Sequence, residues 1–280
     1  MMRTFCRHYP EYLMEAAGLG ILMIAAAVFT TLLQHPISPI RQAISDPLLR
    51  RALIGIAMGI TVIAIVYSPW GKQSGAHLNP AITLTFFRLG KVQPWDAFFY
   101  ILAQFIGGLL GLVVAARLLG MAIVHSTVNY VVTTPGAAGV IVAFIAEIII
   151  SFGMMLMVLF VSNNRKWARY TGIIAGVLIA TYITVEAPFS GMSMNPARTL
   201  ASAIPAYIFT AIWVYFTAPF LGMLSAAEIY VRLMGRNAVK CAKLHHQNHK
   251  RCIFNCGYRK QLLNGQWLLY DRLPDHGARN

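Results

Sequence analysis

The chain is short of charge. Charged residues make up 11% of it, 9 acids against 23 lysines and arginines, while hydrophobic residues reach 58%. So few charges cannot cover a soluble surface, which excludes a water-soluble globular fold. Cysteine is scarce as well: Cys6, Cys241, Cys252 and Cys256 all lie near the termini, outside the apolar runs, and imply no disulfide framework. The period-2 alternation of a membrane β-barrel is absent. No convincing small-residue cleavage site follows the first apolar run, which contains Glu15 and continues through Leu33. That run reads as a retained helix rather than a signal peptide.

What is present is a set of apolar runs near 12–33, 51–67, 97–116, 140–161, 171–185 and 206–227. A bilayer crossing takes about 20 helical residues to span about 30 Å of hydrocarbon, so the chain is expected to be an all-α membrane protein. The net charge of +14 is uneven. If both termini are cytoplasmic, that side holds Arg3, Arg7, Lys72, Arg88, Lys91, Arg165, Lys166, Arg169 and every basic residue from Arg232 to Arg279. The outer side keeps Arg41, Arg50, Arg51, Arg117 and Arg198, with Arg50 and Arg51 a mild violation of the positive-inside rule. Topology therefore accounts for the basic character, and no nucleic-acid partner is implied.

The chain repeats itself. Asn-Pro-Ala occurs at Asn79, Pro80, Ala81 and again at Asn195, Pro196, Ala197. YILAQFIGGLL at 100–110 aligns with YFTAPFLGMLS at 215–225, pairing Tyr100 with Tyr215 and Gly107 with Gly222; Glu15 likewise pairs with Glu147. Each half holds three spans. An odd number makes the second half enter from the opposite side, so the halves are inverted. Each triplet lies between the second and third span of its half. Asn is a favoured N-cap and Pro a favoured first helical residue. Residues 79–88 as a helix would reach about 15 Å, half the hydrocarbon depth. Two short helices then meet with positive ends facing one spot, which repels cations while the asparagines offer donors to a neutral solute. Irregular backbone at that depth must line a polar cavity.

With SGAHLNPAITL and GMSMNPARTLA each set among three spans, the chain resembles the aquaporin, or major intrinsic protein, family over about residues 10–233. The resemblance implies six transmembrane helices plus two re-entrant half-helices, a pore in each protomer and a homotetramer. It also implies that Arg198 belongs to the outer constriction, with Met58, Ile183 and Met192 as the other walls. Water-specific members carry an aromatic, a histidine and a small residue there, and glycerol-conducting members an aromatic pair and a glycine. This chain fits neither. Thr199 and Ala203, where glycerol members carry an aspartate and a basic residue, and the aromatic pair Tyr215 and Phe216 lean towards water. Glu15 and Glu147 are expected to accept hydrogen bonds from the half-helix loops, and His77 to brace its loop. Glu186 is either a carboxylate orienting Arg198 or a solvated span end.

Beyond about Met234 the composition changes. Cys241, His245, His249, Cys252 and Cys256 recur every three or four residues, as on one helix face. These are zinc-type ligands, but one straight helix cannot gather them, so a site needs a fold-back or neighbouring tails. The alternative is a basic segment against anionic headgroups, with Ile253, Phe254 and Trp267 dipping in. The expected organisation is a cytoplasmic segment at 1–11, a channel domain at 12–234 (repeats about 12–116 and 140–234) and a basic Cys/His cytoplasmic tail at 235–280. The expected function is a passive channel for water and small neutral solutes in the plasma or bacterial inner membrane, with no enzymatic chemistry and no cofactor. The alternatives are a glycerol facilitator with a permissive filter, an ion-coupled secondary transporter and a structural or metal-sensing protein with a vestigial pore.

Overall fold

The computed structural model describes residues 1–258, and every regular element among them is helical. The first half comprises α1 (Met2–Gln34), α2 (Pro47–Tyr67), the short α3 (Pro80–Arg88) and α4 (Pro94–Leu119). The second comprises α5 (Val140–Ser162), α6 (Thr171–Val185), the short α7 (Pro196–Ala206) and α8 (Ile212–Met234). Six of the helical stretches are long and apolar enough to cross a membrane; α3 and α7 are not among them. The protein is a multi-pass membrane protein. Proline opens α2, α3, α4 and α7, where its missing N–H is not needed.

Packing follows the repeat. Helix α1 lies against α4 and α5 against α8, while α2 against α6 joins the halves. Each short helix packs on the last span of the opposite half, α3 on α8 and α7 on α4. Glycines permit the close approaches: a Cβ on Gly107 would stand 2.1 Å from the Ala16 carbonyl oxygen, and one on Gly222 would stand 2.5 Å from that of Ile148. Small residues let backbones touch where lipid offers no hydrophobic drive between helices. Arg50 and Arg51, out of place by charge alone, turn back onto carbonyls. Arg50 Nη1 donates to Ile44 and Ser45, each at 2.7 Å, and Arg51 Nε donates to Thr184 at 2.7 Å.

Two expectations are corrected. The last span runs Ile212–Met234 rather than 206–227. The apolar residues up to Ala206 belong to α7, and the chain turns between the two helices with Tyr207 and Ala211 both at positive φ. The tail between Val239 and Cys256 is not helical. It folds back as irregular chain across one end of the bundle and is bonded to other elements as well as to itself: Lys240 N donates to Asn163 Oδ1 (2.6 Å), Leu244 N to the Gly75 carbonyl (3.1 Å) and Asn255 N to the Lys91 carbonyl (2.9 Å). Trp267 lies outside the described residues.

Candidate functional site

The loops before α3 and α7 have one conformation used twice. Gly75, Ala76 and Leu78 carry φ of 99°, 55° and 51°; Gly191, Met192 and Met194 carry 79°, 49° and 52°. Left-handed backbone at non-glycine residues is strained and persists only where the surroundings over-determine it. Here a buried carboxylate does so. Glu15 accepts from Ser74 Oγ (2.8 Å), His77 N (3.0 Å), Leu78 N (2.7 Å) and Gln104 Nε2 (2.8 Å). Glu147 accepts from Ser190 Oγ, Ser193 N and Met194 N, each at 2.7 Å. Tyr100 Oη donates to the Ser74 carbonyl (2.7 Å) and Tyr215 Oη to that of Ser190 (2.6 Å), so the paired tyrosines hold matching points. The serines and Gln104 were not singled out in the sequence. An alignment of the two halves about each Asn-Pro-Ala places Ser74 opposite Ser190 and would have found them.

The asparagines lock the halves together. Asn79 caps α3 through Ala81 N (2.9 Å), and Asn195 caps α7 through Ala197 N (3.0 Å) and Arg198 N (3.2 Å). Each side-chain amide crosses over, Asn79 Nδ2 to the Met194 carbonyl and Asn195 Nδ2 to the Leu78 carbonyl, both at 2.7 Å. An amide nitrogen carries two hydrogens, so each asparagine keeps a second donor. Both residues line a single cavity of about 430 Å³, which also touches Met58, Ile183, Met192 and Arg198. All six positions therefore face one space. Arg198 Nη1 is buried there with no protein partner among the described residues. Glu186 is neither a solvated end nor a partner of Arg198: it is 8% exposed, and both its carboxylate oxygens lack a protein partner among the described residues. Gln34 and Arg51 extend the polar lining at the mouth beyond Arg198, and neither was anticipated.

At the opposite mouth the cavity ends on the tail, with Leu244 in its wall. His77 stands at that boundary. Its Nδ1 lies 3.1 Å from Thr83 Oγ1 and its Nε2 lies 2.9 Å from the Ala242 carbonyl, while Phe254 stacks on its ring at 5.3 Å. Of the tail residues read as possible ligands, Cys241, Cys252 and Cys256 come together; His245 and His249 do not. His245 packs edge-on against Tyr67, and His249 is exposed. The imidazole that joins the cysteines is His246, missed because it falls off the helical period that the segment does not adopt. Burial opposes charge on His246, but hydrogen bonds to Cys252 and Cys256 carry its pKa up to about 9. The Cys256 thiol is pushed down by hydrogen bonds from Cys241 and Cys252.

Residues 7–230 match the family described as Major intrinsic protein. The chain belongs to that family. Among major intrinsic proteins, a probable NIP-type aquaporin of Nicotiana alata is 37% identical over 180 residues, 63% of this chain and 64% of the relative. Aquaporin NIP6-1 of Arabidopsis thaliana is 39% identical over 181 residues, 64% of this chain and 57% of the relative. The matched segment thus spans less than two thirds of each relative. The crystal structure of the aquaglyceroporin from Plasmodium falciparum superposes with a TM-score of 0.66 at 20% identity, over 82% of this chain and 98% of that one. That likeness shows a shared major intrinsic protein fold.

Proposed function

We propose that the chain is a passive channel for water and small neutral solutes that excludes protons and ions at the paired Asn-Pro-Ala motifs. The observation that carries this reading is the cavity shared by Asn79, Asn195 and Arg198 at the N-termini of two opposed short helices. Each helix end contributes about half a positive charge, and each asparagine offers one N–H. A neutral oxygen accepts from both donors in turn, whereas a cation meets two positive poles and the Arg198 guanidinium. Arg198 forms the narrow filter with Met58, Ile183 and Met192. Three apolar walls, two of them adaptable methionines, give a water file few polar holds, which supports passage of solutes wider than water such as glycerol. Glu15 and Glu147 serve as fixed acceptors; the three or four donors on each suit a brace better than a proton relay, against the ion-coupled transporter. Both termini are cytoplasmic, as the placement of basic residues supports. The assembly is a homotetramer in a plasma or bacterial inner membrane, with a pore in each protomer.

Stopped-flow osmotic shrinkage of proteoliposomes tests the reading. The unmodified chain, a Leu244→Ala, Phe254→Ala variant that thins the tail at the mouth, and protein-free vesicles are compared in an impermeant osmolyte and in glycerol. Shrinkage at least about tenfold faster than protein-free vesicles in one of the protein forms is expected, equivalent to about 1.4 kcal/mol off the barrier. Two protein forms no faster than bare lipid would overturn the channel.

A further inference from the structure

The tail gathers a ligand set. Cys241 Sγ, a His246 ring nitrogen, Cys252 Sγ and Cys256 Sγ all lie within 4.8 Å of one another. The Cys241 and Cys252 sulfurs are 3.6 Å apart, and His246 Nε2 is 3.0 Å from Cys256 Sγ. A disulfide would hold its sulfurs at about 2.05 Å, whereas a tetrahedral zinc ion with Zn–S near 2.3 Å separates them by about 3.8 Å. The spacing is that of ligands rather than of a bond. Three thiols and one imidazole form a soft to borderline donor set that selects zinc-class ions over calcium or magnesium.

The same segment spans the mouth at its end of the cavity. Leu244 forms the cavity wall, Ala242 and Phe254 hold His77 by hydrogen bond and stacking, and Leu244 N bonds Gly75. Lys243 is 2% exposed and turns inward, its Nζ donating to the Lys250 (3.2 Å) and Arg251 (2.7 Å) carbonyls. Arg251 in turn clasps the buried Glu11 near the start of α1, with Nε to Oε1 at 2.9 Å. Ordering such irregular chain costs conformational entropy at every residue, and no regular element lies between Val239 and Cys256 to offset it. A metal that ties four points of one short segment supplies that stabilisation, because binding to a site absent from the unfolded chain is itself folding free energy.

We propose that Cys241, His246, Cys252 and Cys256 bind one zinc-class divalent cation, which pins the tail across this mouth and closes the pore. The closure rests on the channel reading above; the metal site and the pinning of the tail do not.

Three readouts on the full chain separate them. Reduced, chelator-stripped protein in detergent is titrated with cobalt(II). One equivalent giving thiolate-to-cobalt charge transfer and tetrahedral ligand-field bands is expected, and both signals should be lost in Cys252→Ser, Cys256→Ser. A spectrum identical in that variant would overturn the site, as would a Cys241–Cys252 disulfide that resists mild reductant. Trypsin cleavage at Lys250 and Arg251, read by mass spectrometry, should slow at least about tenfold on adding zinc, since cleavage follows the open population. Unchanged cleavage with stoichiometric metal would overturn the pinning. Osmotic shrinkage of zinc-loaded vesicles should quicken several-fold on chelation and stay fast in the double serine variant. Equal rates with and without zinc, in a chain whose Leu244→Ala, Phe254→Ala form conducts, would overturn closure alone. If no form conducts, the channel reading falls, and closure with it, while the cobalt and trypsin results still decide the site.

Discussion

The loops entering α3 and α7 share a backbone and differ in what surrounds it. Glycine, two left-handed residues, a capping asparagine and a buried glutamate recur in both, so the conformation is a property of the repeat. The differences begin one turn away. Arg198 of α7 has Ile82 as its counterpart in α3, and Ser193 has His77. Thr199 bonds Ser193 (2.5 Å) and Thr133 (2.9 Å), whereas Thr83 bonds His77 and Gln104, each at 3.1 Å. One copy thus carries a cation in the cavity wall; the other carries an imidazole that receives the tail. Shared scaffolding with divergent rims lets a symmetric fold present a guanidinium to the cavity in one half and receive the tail in the other.

Removing the scaffold is the harshest way to break the comparison. Glu15→Ala leaves the His77 and Leu78 amides without their acceptor, and Glu147→Ala does the same to Ser193 and Met194. Each buried donor left without an acceptor costs about 1–3 kcal/mol, so each variant should lose more than about 3 kcal/mol. Size-exclusion yield and thermal unfolding in detergent should show both variants largely unfolded, Glu15→Ala the worse because it loses four donors. A Glu147→Ala protein that melts like the unmodified chain would remove the brace from the account.

The inverted repeat was legible because the contacts that position α3 and α7 come in pairs. Glu15 with Glu147, Tyr100 with Tyr215 and Gly107 with Gly222 occupy equivalent contacts, and the same residue type recurs at each pair. The four positions of the proposed filter came from resemblance, since Met58 and Ile183 reach the cavity from α2 and α6, with no local pattern to mark them. The tail was misread because a spacing of three and four residues suits a helix face as well as a folded-back loop. Its backbone partners, Gly75, Lys91 and Asn163, are distant in sequence, and only tertiary structure reveals that they compete with helix formation. The end of α7 blurred into α8 for a related reason, because both sides of the turn at Tyr207 are apolar.

A milder change makes the two rims alike. Arg198→Ile gives α7 the Asn-Pro-Ala-Ile start of α3 and removes the guanidinium whose Nη1 has no protein partner among the described residues. Among the described residues that nitrogen gives up no protein hydrogen bond, so folding should be little affected. The filter should widen and lose its positive barrier. In the Leu244→Ala, Phe254→Ala background, where the tail no longer limits flow, glycerol re-swelling is then expected to rise about tenfold, a barrier change near 1.4 kcal/mol, with water shrinkage nearly unchanged. Equal glycerol rates would place the limiting barrier elsewhere in the cavity.

The smallest expected effect comes from equalising the braces. Gln104 supplies the fourth donor to Glu15, and the aligned position in the second half is Pro219, which has no side-chain donor. Glu147 is braced by three donors without such help. Gln104→Leu should therefore leave a first half braced as the second already is. The variant gives up the bond to Glu15 and a weaker one to Thr83 at 3.1 Å. It also removes Gln104 Oε1, a buried acceptor with no protein partner among the described residues, whose desolvation already weighs against the folded state. The two effects oppose, and a net loss of about 1 kcal/mol is expected, far below that of Glu15→Ala. Thermal unfolding of the three proteins side by side decides it: if Gln104→Leu falls as far as Glu15→Ala, three donors do not suffice to hold the first loop, and the equivalence of the two braces is lost.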